Sequence, residues 1–410
     1  MTAAPELADV VVVAASIGHP GSVRARALAG GLVDRGHRVT VVCADGADHT
    51  HAVNPGLDVR RVKWADVVEL AKRLRLKRTA LGRPRVRGGS VELSLLRRVE
   101  ARAAVPDVYA SWIPFAIAEV RRAVGRDTVV FSTAPVSGHV VAAAARKGQP
   151  WIADLNDLWW GNPHRPAGAI RRAVDRVLER RTLTRARALT TVNEVLAQEL
   201  RRRYQLPVHA LLNGFDPAEF TEASAPLIAG PVELLYAGTV YPGFDLGPLF
   251  GALRRGLDEG SLTPSTLRVR FVGGGSHRAA LEATERGVAG FVDATEAIPR
   301  RDLLPQLGRA HALLLPLYEN DPYSLPSRFF EYVGAGRPII ALGPSARLTA
   351  RIVVEQGLGV VASTEESVYA LLLRMIVDSD SLPAPALVVR RGFTWEHSVD
   401  ELSALIESVR

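Results

Sequence analysis

One segment of the chain combines hydroxyls, a base and an acid at helical spacing. Residues 324–343 read "SLPSRFFEYVGAGRPIIALG", with Ser327, Arg328 and Glu331 ahead of a glycine-rich turn. Side chains three or four residues apart share one face of a helix, so these three are expected to lie together. A base in a first helical turn opposes the helix dipole, and a bound phosphate would compensate for it. A carboxylate one turn later accepts two hydroxyl hydrogen bonds, which suits a ribose diol.

The same segment has a second interpretation without a ligand. In the first interpretation Ser327 or Ser324 caps the helix, Pro326 stiffens its entry, and the loop amides around Ser324 and Leu325 face an anion. In the second, Arg328 and Glu331 form a surface ion pair with no further role. The residues alone leave both interpretations open.

Three glycine-rich loops follow predicted strands. They read "SIGHPGS" (16–22), "GTVYPG" (238–243) and "GGGS" (273–276). Glycine leaves backbone amides accessible to phosphate, although it also serves in tight turns. On the ligand interpretation, the phosphate-contacting residues are Gly18, Gly21, Gly238, Thr239, Gly273 and Gly274.

These loops and the 324–343 segment are placed by a pattern of alternating strands and helices. Short β-branched runs such as "DVVVVAAS" (9–16) and "VELLYAG" (232–238) alternate with longer helical segments, which predicts buried parallel strands in βαβ units. The pattern restarts after the small-residue stretch 221–231. We therefore predict an α/β chain of two doubly wound Rossmann-like domains, with domains at 1–225 and 226–390 and a C-terminal helix at 391–410.

Length and composition fit this organisation. The chain has 410 residues, about twice the usual length of one domain, and 47% of them are apolar. No apolar run is long enough to span a membrane, and no basic region precedes an apolar one at the N-terminus. The single cysteine cannot form an internal disulfide, which fits a reducing compartment. We therefore predict a cytoplasmic protein.

A basic run stands out against a formal net charge of +8. Residues 72–87 read "KRLRLKRTALGRPRVR", with no acid among them. Such a run is either a solvated surface or a contact with anionic lipid at the inner face of the membrane, or with an acidic acceptor. No zinc spacing or aromatic RNA-binding stretch accompanies it, so nucleic acid is not expected as a partner.

The chain resembles the GT-B glycosyltransferases of the large retaining family four. The motif segment stands as "PSRFFEYVGAGRPII", and "GQPWIADLNDLWW", "LLNGFDPAEF" and "FTWEHSVDELSALI" support the resemblance along the chain. It implies two domains facing across a cleft, with the donor held by the C-terminal domain and the acceptor by the N-terminal one. A further implication is that the C-terminal helix at 391–410 crosses back to the first domain. It also implies no metal and no cofactor besides the nucleotide-diphosphate sugar, of UDP, GDP or dTDP type.

The resemblance assigns roles to particular residues. Glu331 matches the glutamate that binds the ribose hydroxyls, and Arg328 takes the place of the base near the diphosphate. Gly18 and Gly21 match the loop that closes on the phosphates. The implied activity is retaining transfer of a sugar to a hydroxyl acceptor, which is a cell-envelope glycan, a lipid-linked intermediate or a specialised metabolite.

Two departures from the family pattern affect the sugar-binding side. Tyr323 stands where the first motif glutamate is expected, so either loop amides recognise the sugar hydroxyls or the donor sugar is modified there. The usual histidine motif after a central strand is replaced by residues 133–135. The residues expected to take over acceptor contacts are His139, Asp154, Asn156 and Asp157.

Two alternative functions share this architecture. One is a sugar-nucleotide epimerase, which releases an epimerised sugar without an acceptor. The other is a catalytically silent partner subunit that kept the fold after losing the first glutamate.

Overall fold

The computed structural model describes residues 8–18, 22–46, 52–64, 104–162, 168–220, 230–317 and 323–410. Gly21, the basic run 72–87 and residues 221–229 of the predicted linker lie outside the described residues. The chain divides into two compact units. The first unit contains Met1–Leu212 and Ser398–Arg410, and the second unit contains Asn213–His397.

The first unit is built on a parallel sheet with the strand order β3-β2-β1-β4-β5-β6-β7. Its strands are β1 (Asp9–Val13), β2 (Arg38–Ala44), β3 (Asp58–Val62), β4 (Thr128–Ser132), β5 (Trp151–Leu155), β6 (Ala188–Thr191) and β7 (Val208–Ala210). The connecting helices are α1 (Val23–Asp34), α2 (Ile113–Ala123), α3 (Val136–Ala145), α4 (Ala169–Leu183) and α5 (Glu194–Tyr204).

The second unit repeats the same order in its sheet, β10-β9-β8-β11-β12-β13. The strands are β8 (Val232–Ala237), β9 (Leu267–Val272), β10 (Val292–Thr295), β11 (Ala312–Pro316), β12 (Ile339–Leu342) and β13 (Gly359–Ala362). The helices are α6 (Gly247–Asp258), α7 (Ser276–Glu285), α8 (Arg300–Arg309), α9 (Ser327–Ala335), α10 (Leu348–Glu355), α11 (Glu365–Val377) and α12 (Leu387–Arg390); α13 (Trp395–Val409) ends in the first unit.

The central strands are buried on both faces, as parallel strands covered by helices must be. β4, β5, β11 and β12 are buried along their whole length. Each unit has its own apolar core, centred on residues such as Val12 and Phe131 in the first and Leu234 and Phe271 in the second. The prediction of two doubly wound α/β halves is therefore confirmed.

The transitions between units differ from the predicted domain boundaries of 225/226 and 390/391. They lie at 212/213 and 397/398. Residues 213–220 belong to the second unit because Phe215 forms a parallel backbone bridge with Thr394 and packs with Phe220 against Gly334. The C-terminal helix returns to the first unit, where Val399 lies against Gly31 and Asp400 pairs with Arg35 at 2.8 Å.

Candidate functional site

A cavity of ≈ 210 Å³ lies at the carboxyl ends of β8 and β11 in the second unit. The order of connection reverses between these two neighbouring strands, which is where open parallel sheets bind ligands. The cavity therefore occupies the position that fold topology favours for a ligand. Its lining residues are Tyr241, Phe244, Pro316, Leu317, Ser324, Pro326, Ser327, Arg328, Arg347 and Thr349.

The start of α9 forms one wall of this cavity, but its cap differs from the prediction. Pro326 is the N-cap residue, Ser327 is the first helical residue, and no side chain caps the helix. Ser324 contributes its carbonyl, which accepts a 2.6 Å hydrogen bond from Thr349 Oγ1 and so ties the loop to α10. The first turn of α9 is thus left without a protein cap on the cavity side.

Arg328 is half-buried beside this helix start, with one nitrogen of its guanidinium unsatisfied. Its Cζ lies 4.8 Å from the ring centroid of Tyr236. A Cβ on Gly238 would lie 2.6 Å from the same Cζ, so glycine is required there for the arginine to fit. Nη1 is buried and has no hydrogen-bond partner among the described residues. Burial lowers the pKa of Arg328, and the nearby Tyr332 and Glu331 offset this effect only in part.

Arg347 brings a second base to the cavity that sequence reasoning missed. It precedes α10, and its Nε is buried without a hydrogen-bond partner in the described part of the chain. The signal in the sequence was an arginine directly before a helix, close to the position of Arg328 in the first turn of α9. Two arginines with open donors therefore converge on one cavity, an arrangement suited to a diphosphate.

Glu331 is near Arg328 but is not its ion-pair partner. Its carboxylate pairs with Arg300 of α8, and Arg300 also pairs with Glu219 at 2.7 Å. Glu331 remains 25% exposed and does not line the cavity. The surface pair between Arg328 and Glu331 is therefore wrong. The carboxylate is held instead by a base that sequence reasoning did not single out.

The glycine-rich loops after β8 and β9 bond to one another and to neighbouring strands. Gly238 N donates to Val272 O at 2.8 Å, and Gly273 N donates to Thr295 O at 2.9 Å. Both glycines have φ of +140°, and a Cβ on Gly273 would lie 2.3 Å from Gly238 O. The expectation that these two amides are free for phosphate is corrected: glycine is needed here for backbone conformation and close packing.

The remaining residues predicted to bind the nucleotide sugar lie in the loops after β1, β8 and β9 and ahead of α9. Thr239 and Gly274 follow Gly238 and Gly273, and Thr239 O accepts a 2.6 Å hydrogen bond from Tyr236 Oη. Leu325 is buried at 6% exposure, and Tyr323 is half-buried; neither lines the cavity. Gly18 follows β1 in the first unit and is buried.

Asp154, expected to contact an acceptor, is fully buried and saturated with hydrogen bonds. Arg24 binds its two oxygens at 2.9 and 2.7 Å, and the hydroxyls of Thr133 and Thr190 each donate to it at 2.8 Å. Burial raises the pKa of the Asp154 carboxyl, but the Arg24 charge and these hydrogen bonds outweigh it and hold the pKa below its usual value. Asp154 thus joins α1, β5 and β6 and has no oxygen left for a ligand.

His139 is also a core residue rather than an acceptor contact. Its Nδ1 lies 2.8 Å from Ser132 Oγ, which accepts a hydrogen bond from Trp151 Nε1. The serine hydroxyl keeps its own proton and a second lone pair, so the direction of its hydrogen bond with His139 depends on the imidazole tautomer. Burial lowers the pKa of His139 to about 4. Its predicted role is corrected for the same reason as that of Asp154: the side chain is enclosed.

The loop after β5 presents the other two predicted acceptor residues. Asp157 is exposed, and Asn156 is half-buried with its Oδ1 buried and without a hydrogen-bond partner among the described residues. Cation–π contacts stabilise the loop, because Cζ of Arg176 lies 5.2 Å and Cζ of Arg203 lies 4.5 Å from the ring centroid of Trp160. Of the four residues, Asn156 and Asp157 retain a geometry suited to binding.

Within the described ranges, no group of three or more His, Cys, Asp or Glu side chains is placed to hold a metal ion. Across the same ranges, every helix is too short or too polar to cross a membrane.

Comparisons with known proteins concern the family and the fold of the chain. Residues 21–214 match the family described as glycosyl transferase 4-like domain. These residues form a glycosyl transferase 4-like domain. The match ends two residues after Leu212, where the first segment of the first unit ends. It confirms the resemblance inferred from the sequence motifs.

Solved structures are similar to the chain over both of its units. Sucrose-phosphate synthase from Thermosynechococcus elongatus aligns over 98% of both chains, with a TM-score of 0.62 and 13% identity. Anabaena HepE in complex with UDP and glucose covers 98% of this chain and 100% of its own, with a TM-score of 0.61 and 14% identity. At these identities the likeness establishes the GT-B fold. A search of curated protein sequences found no match.

Proposed function

We propose that the chain is a metal-independent, retaining glycosyltransferase that moves a sugar from a nucleotide-diphosphate sugar to a hydroxyl acceptor. The observation that carries the proposal is the buried, unsatisfied Nη1 of Arg328 in the cavity of the second unit. A buried donor without a partner is costly, and a bound diphosphate would supply the missing acceptor.

The cavity offers distinct surfaces for the parts of a nucleotide. Arg328, Arg347 and the uncapped start of α9 suit the diphosphate. Tyr241 and Phe244, whose rings meet edge to face with centroids 5.9 Å apart, offer apolar surface for a base or sugar. Glu331, one turn along α9 and paired with Arg300, is our candidate for the ribose hydroxyls.

The chemistry asks little of covalent catalysis. When the glycosidic bond breaks, negative charge develops on the departing nucleotide diphosphate, and prepositioned cations stabilise it. Arg328 and Arg347 would act there while the acceptor hydroxyl attacks from the face that the nucleotide leaves. In the first unit, Asn156 and Asp157 are our candidates for binding the acceptor.

Nucleotide titration of the full-length protein tests the proposal. Isothermal titration with UDP, GDP and dTDP should show binding of at least one, without added metal and with EDTA present. Arg328→Met should weaken that binding by about 1.5–3 kcal/mol, the scale of hydrogen bonds to a charged group. Because methionine removes a half-buried charge that is only partly compensated, the thermal midpoint should stay level or rise.

The matched control is Arg301→Met on α8. Arg301 is 86% exposed and does not line the cavity, so its loss should leave nucleotide affinity unchanged. Equal affinity of the folded Arg328→Met variant and the wild type would contradict the assignment of the diphosphate site.

The alternative functions give different results in the same assay series. A silent partner subunit would bind none of the three nucleotides. An epimerase would release nucleotide and free sugar at a rate that does not change with candidate acceptors. A transferase releases nucleotide faster when its acceptor is added, and the product keeps the anomeric configuration of the donor.

A further inference from the structure

Helix α4 of the first unit is oriented opposite to an ordinary amphipathic helix. Its inward face includes both of its acids, Asp175 at 8% and Glu179 at 0% exposure. Its outward face carries apolar side chains, with Ile170 85%, Val174 43% and Val177 50% exposed. A surface helix normally turns its apolar stripe to the core. Leu183 is buried and Leu178 is half-buried on the inward side, so burial within the unit leaves unexplained only the three exposed apolar side chains.

Hydrogen bonds on the inward face fix this orientation. Asp175 accepts a 2.8 Å hydrogen bond from Arg171, and Arg171 also donates to Ala104 O and Pro106 O at 2.8 and 2.7 Å. Glu179 accepts from the Tyr204 hydroxyl and from Trp160 N, the latter at 2.7 Å. Rotating α4 to bury its valines would break all of these bonds. The exposed apolar stripe is thus a fixed feature of the unit.

The outward face becomes basic at its carboxyl end. Arg180 and Arg181 occupy the last turn and are exposed, and Arg185 and Arg187 follow within four residues of the helix end. Among the described residues, none of these four arginines forms an ion pair with an acid. Because Asp175 and Glu179 face inward, the outward face has no negative charge of its own.

We propose that this face of α4 docks on the surface of an anionic lipid bilayer. We define the α4 face as Ile170, Ala173, Val174, Val177, Arg180 and Arg181. An apolar stripe beside unpaired arginines matches a bilayer interface, where apolar side chains enter the acyl boundary and cations meet lipid phosphates. Nucleic acid fits less well, because it would leave the valines in water and the face has no aromatic ring for stacking.

Vesicle co-sedimentation of the full-length protein tests the docking surface. The protein should bind vesicles of mixed phosphatidylcholine and phosphatidylglycerol but not vesicles of phosphatidylcholine alone. Binding should weaken as salt rises from low to physiological concentration, because exposed charges are screened. The test does not depend on the proposed glycosyl transfer, and nucleotide titration of the same samples reports that function separately.

Two variants separate the charges from the apolar stripe. Arg180→Gln/Arg181→Gln/Arg185→Gln should reduce affinity for the mixed vesicles more than tenfold, given about fivefold for each arginine near an anionic surface. Val174→Ser/Val177→Ser should also reduce it, without changing the net charge. Circular dichroism and nucleotide affinity confirm that each variant is folded.

The matched control removes three exposed arginines elsewhere. Arg202→Gln/Arg301→Gln/Arg351→Gln lowers the net charge by the same amount, and these side chains are 76, 86 and 57% exposed beside acids. This control should bind the mixed vesicles within about threefold of the wild type.

Several results would overturn the proposal. Unchanged vesicle binding by both α4 variants would do so, as would loss of binding only when the basic run 72–87 is neutralised. A concentration-dependent dimer that dissociates in Val174→Ser/Val177→Ser would assign the face to a second copy of the chain. Tighter binding to DNA than to the mixed vesicles would assign it to nucleic acid.

Discussion

Two arginines, Arg24 buried in the first unit and Arg328 half-buried in the second, differ in how completely their hydrogen-bond donors are satisfied. Arg24 is 5% exposed and donates hydrogen bonds to both oxygens of Asp154 and to the carbonyls of Leu211 and Leu212. Arg328 stacks on Tyr236 and leaves Nη1 without a partner. A saturated buried charge holds elements of the fold together, whereas an unsatisfied donor beside a cavity is available to a ligand. The contrast separates structural from ligand-binding residues where the sequence could not.

The largest expected effect is on the saturated arginine. Arg24→Met leaves the Asp154 carboxylate buried without its counter-charge and should lower the free energy of unfolding by about 3–5 kcal/mol. Urea denaturation followed by circular dichroism measures the loss, and nucleotide affinity of the folded fraction should not change.

The double variant Arg24→Met/Asp154→Asn is the control for this first prediction, because it removes the stranded charge and should unfold less easily than Arg24→Met alone. If Arg24→Met were no less stable than Arg328→Met, the distinction between the two arginines would fail.

A second prediction concerns His139 and pH. Its pKa is about 4 in the folded chain against an ordinary value of 6.5. The unfolded chain therefore binds a proton first, so the stabilising contribution of neutral His139 is complete above pH 6.5 and is lost progressively as pH falls towards 4. The loss should reach about 3 kcal/mol, from 1.36 kcal/mol for each unit of pKa difference.

Denaturation curves of wild type and His139→Gln between pH 7 and 4 measure this contribution, because glutamine does not titrate. Their difference should shrink as pH falls. Parallel pH profiles would show that His139 is not held neutral in the core, and the first unit would then contain an ionisable group open to ligands.

The smallest predicted effect refines the ligand-binding side of the comparison. Glu331→Ala should weaken nucleotide binding by about 1.5–3 kcal/mol, because the variant cannot accept ribose hydroxyls. The control is the 2′,3′-dideoxynucleotide, which lacks the ribose hydroxyls. Its affinity should be nearly the same for the wild type and for Glu331→Ala, and weaker than the affinity of the wild type for the ordinary nucleotide. If Glu331→Ala instead lost affinity for both nucleotides equally, the carboxylate would act only by holding Arg300 in place.

The sequence predicted the repeated βαβ pattern well because buried parallel strands are continuous apolar runs. It missed β3 and β7 for the opposite reason. β3 reads "DVRRV" and is half exposed at the sheet edge, and β7 has only three residues. The apolar run "GVAGFVD" (287–293) predicts a strand, but β10 begins only at Val292, because a short 3₁₀ turn at Ala289–Phe291 supplies the apolar residues ahead of it.

Site residues were predictable where a motif places them on one helix, and less so where partners come from distant segments. Ser327 and Arg328 do line the cavity. Arg347, however, meets Arg328 only through the fold, and Arg300 reaches Glu331 from another helix. Asp154 and His139 carry polar groups that could bind a ligand, and only their burial shows that the core uses them.

The paired backbone at the unit transitions has a consequence for modularity. In the second unit, Phe215 N donates to Phe393 O and Trp395 N donates to Phe215 O, at 3.1 and 3.2 Å. In the first unit, Ser398 Oγ donates to Leu212 O at 2.7 Å. The second unit is thus an insertion in the sequence of the first, and its own two ends are neighbours. The residues that flank it in the first unit, Leu212 and Ser398, are neighbours as well. Such an insertion can be excised or exchanged between chains with a short loop closing the break, because no long distance has to be spanned.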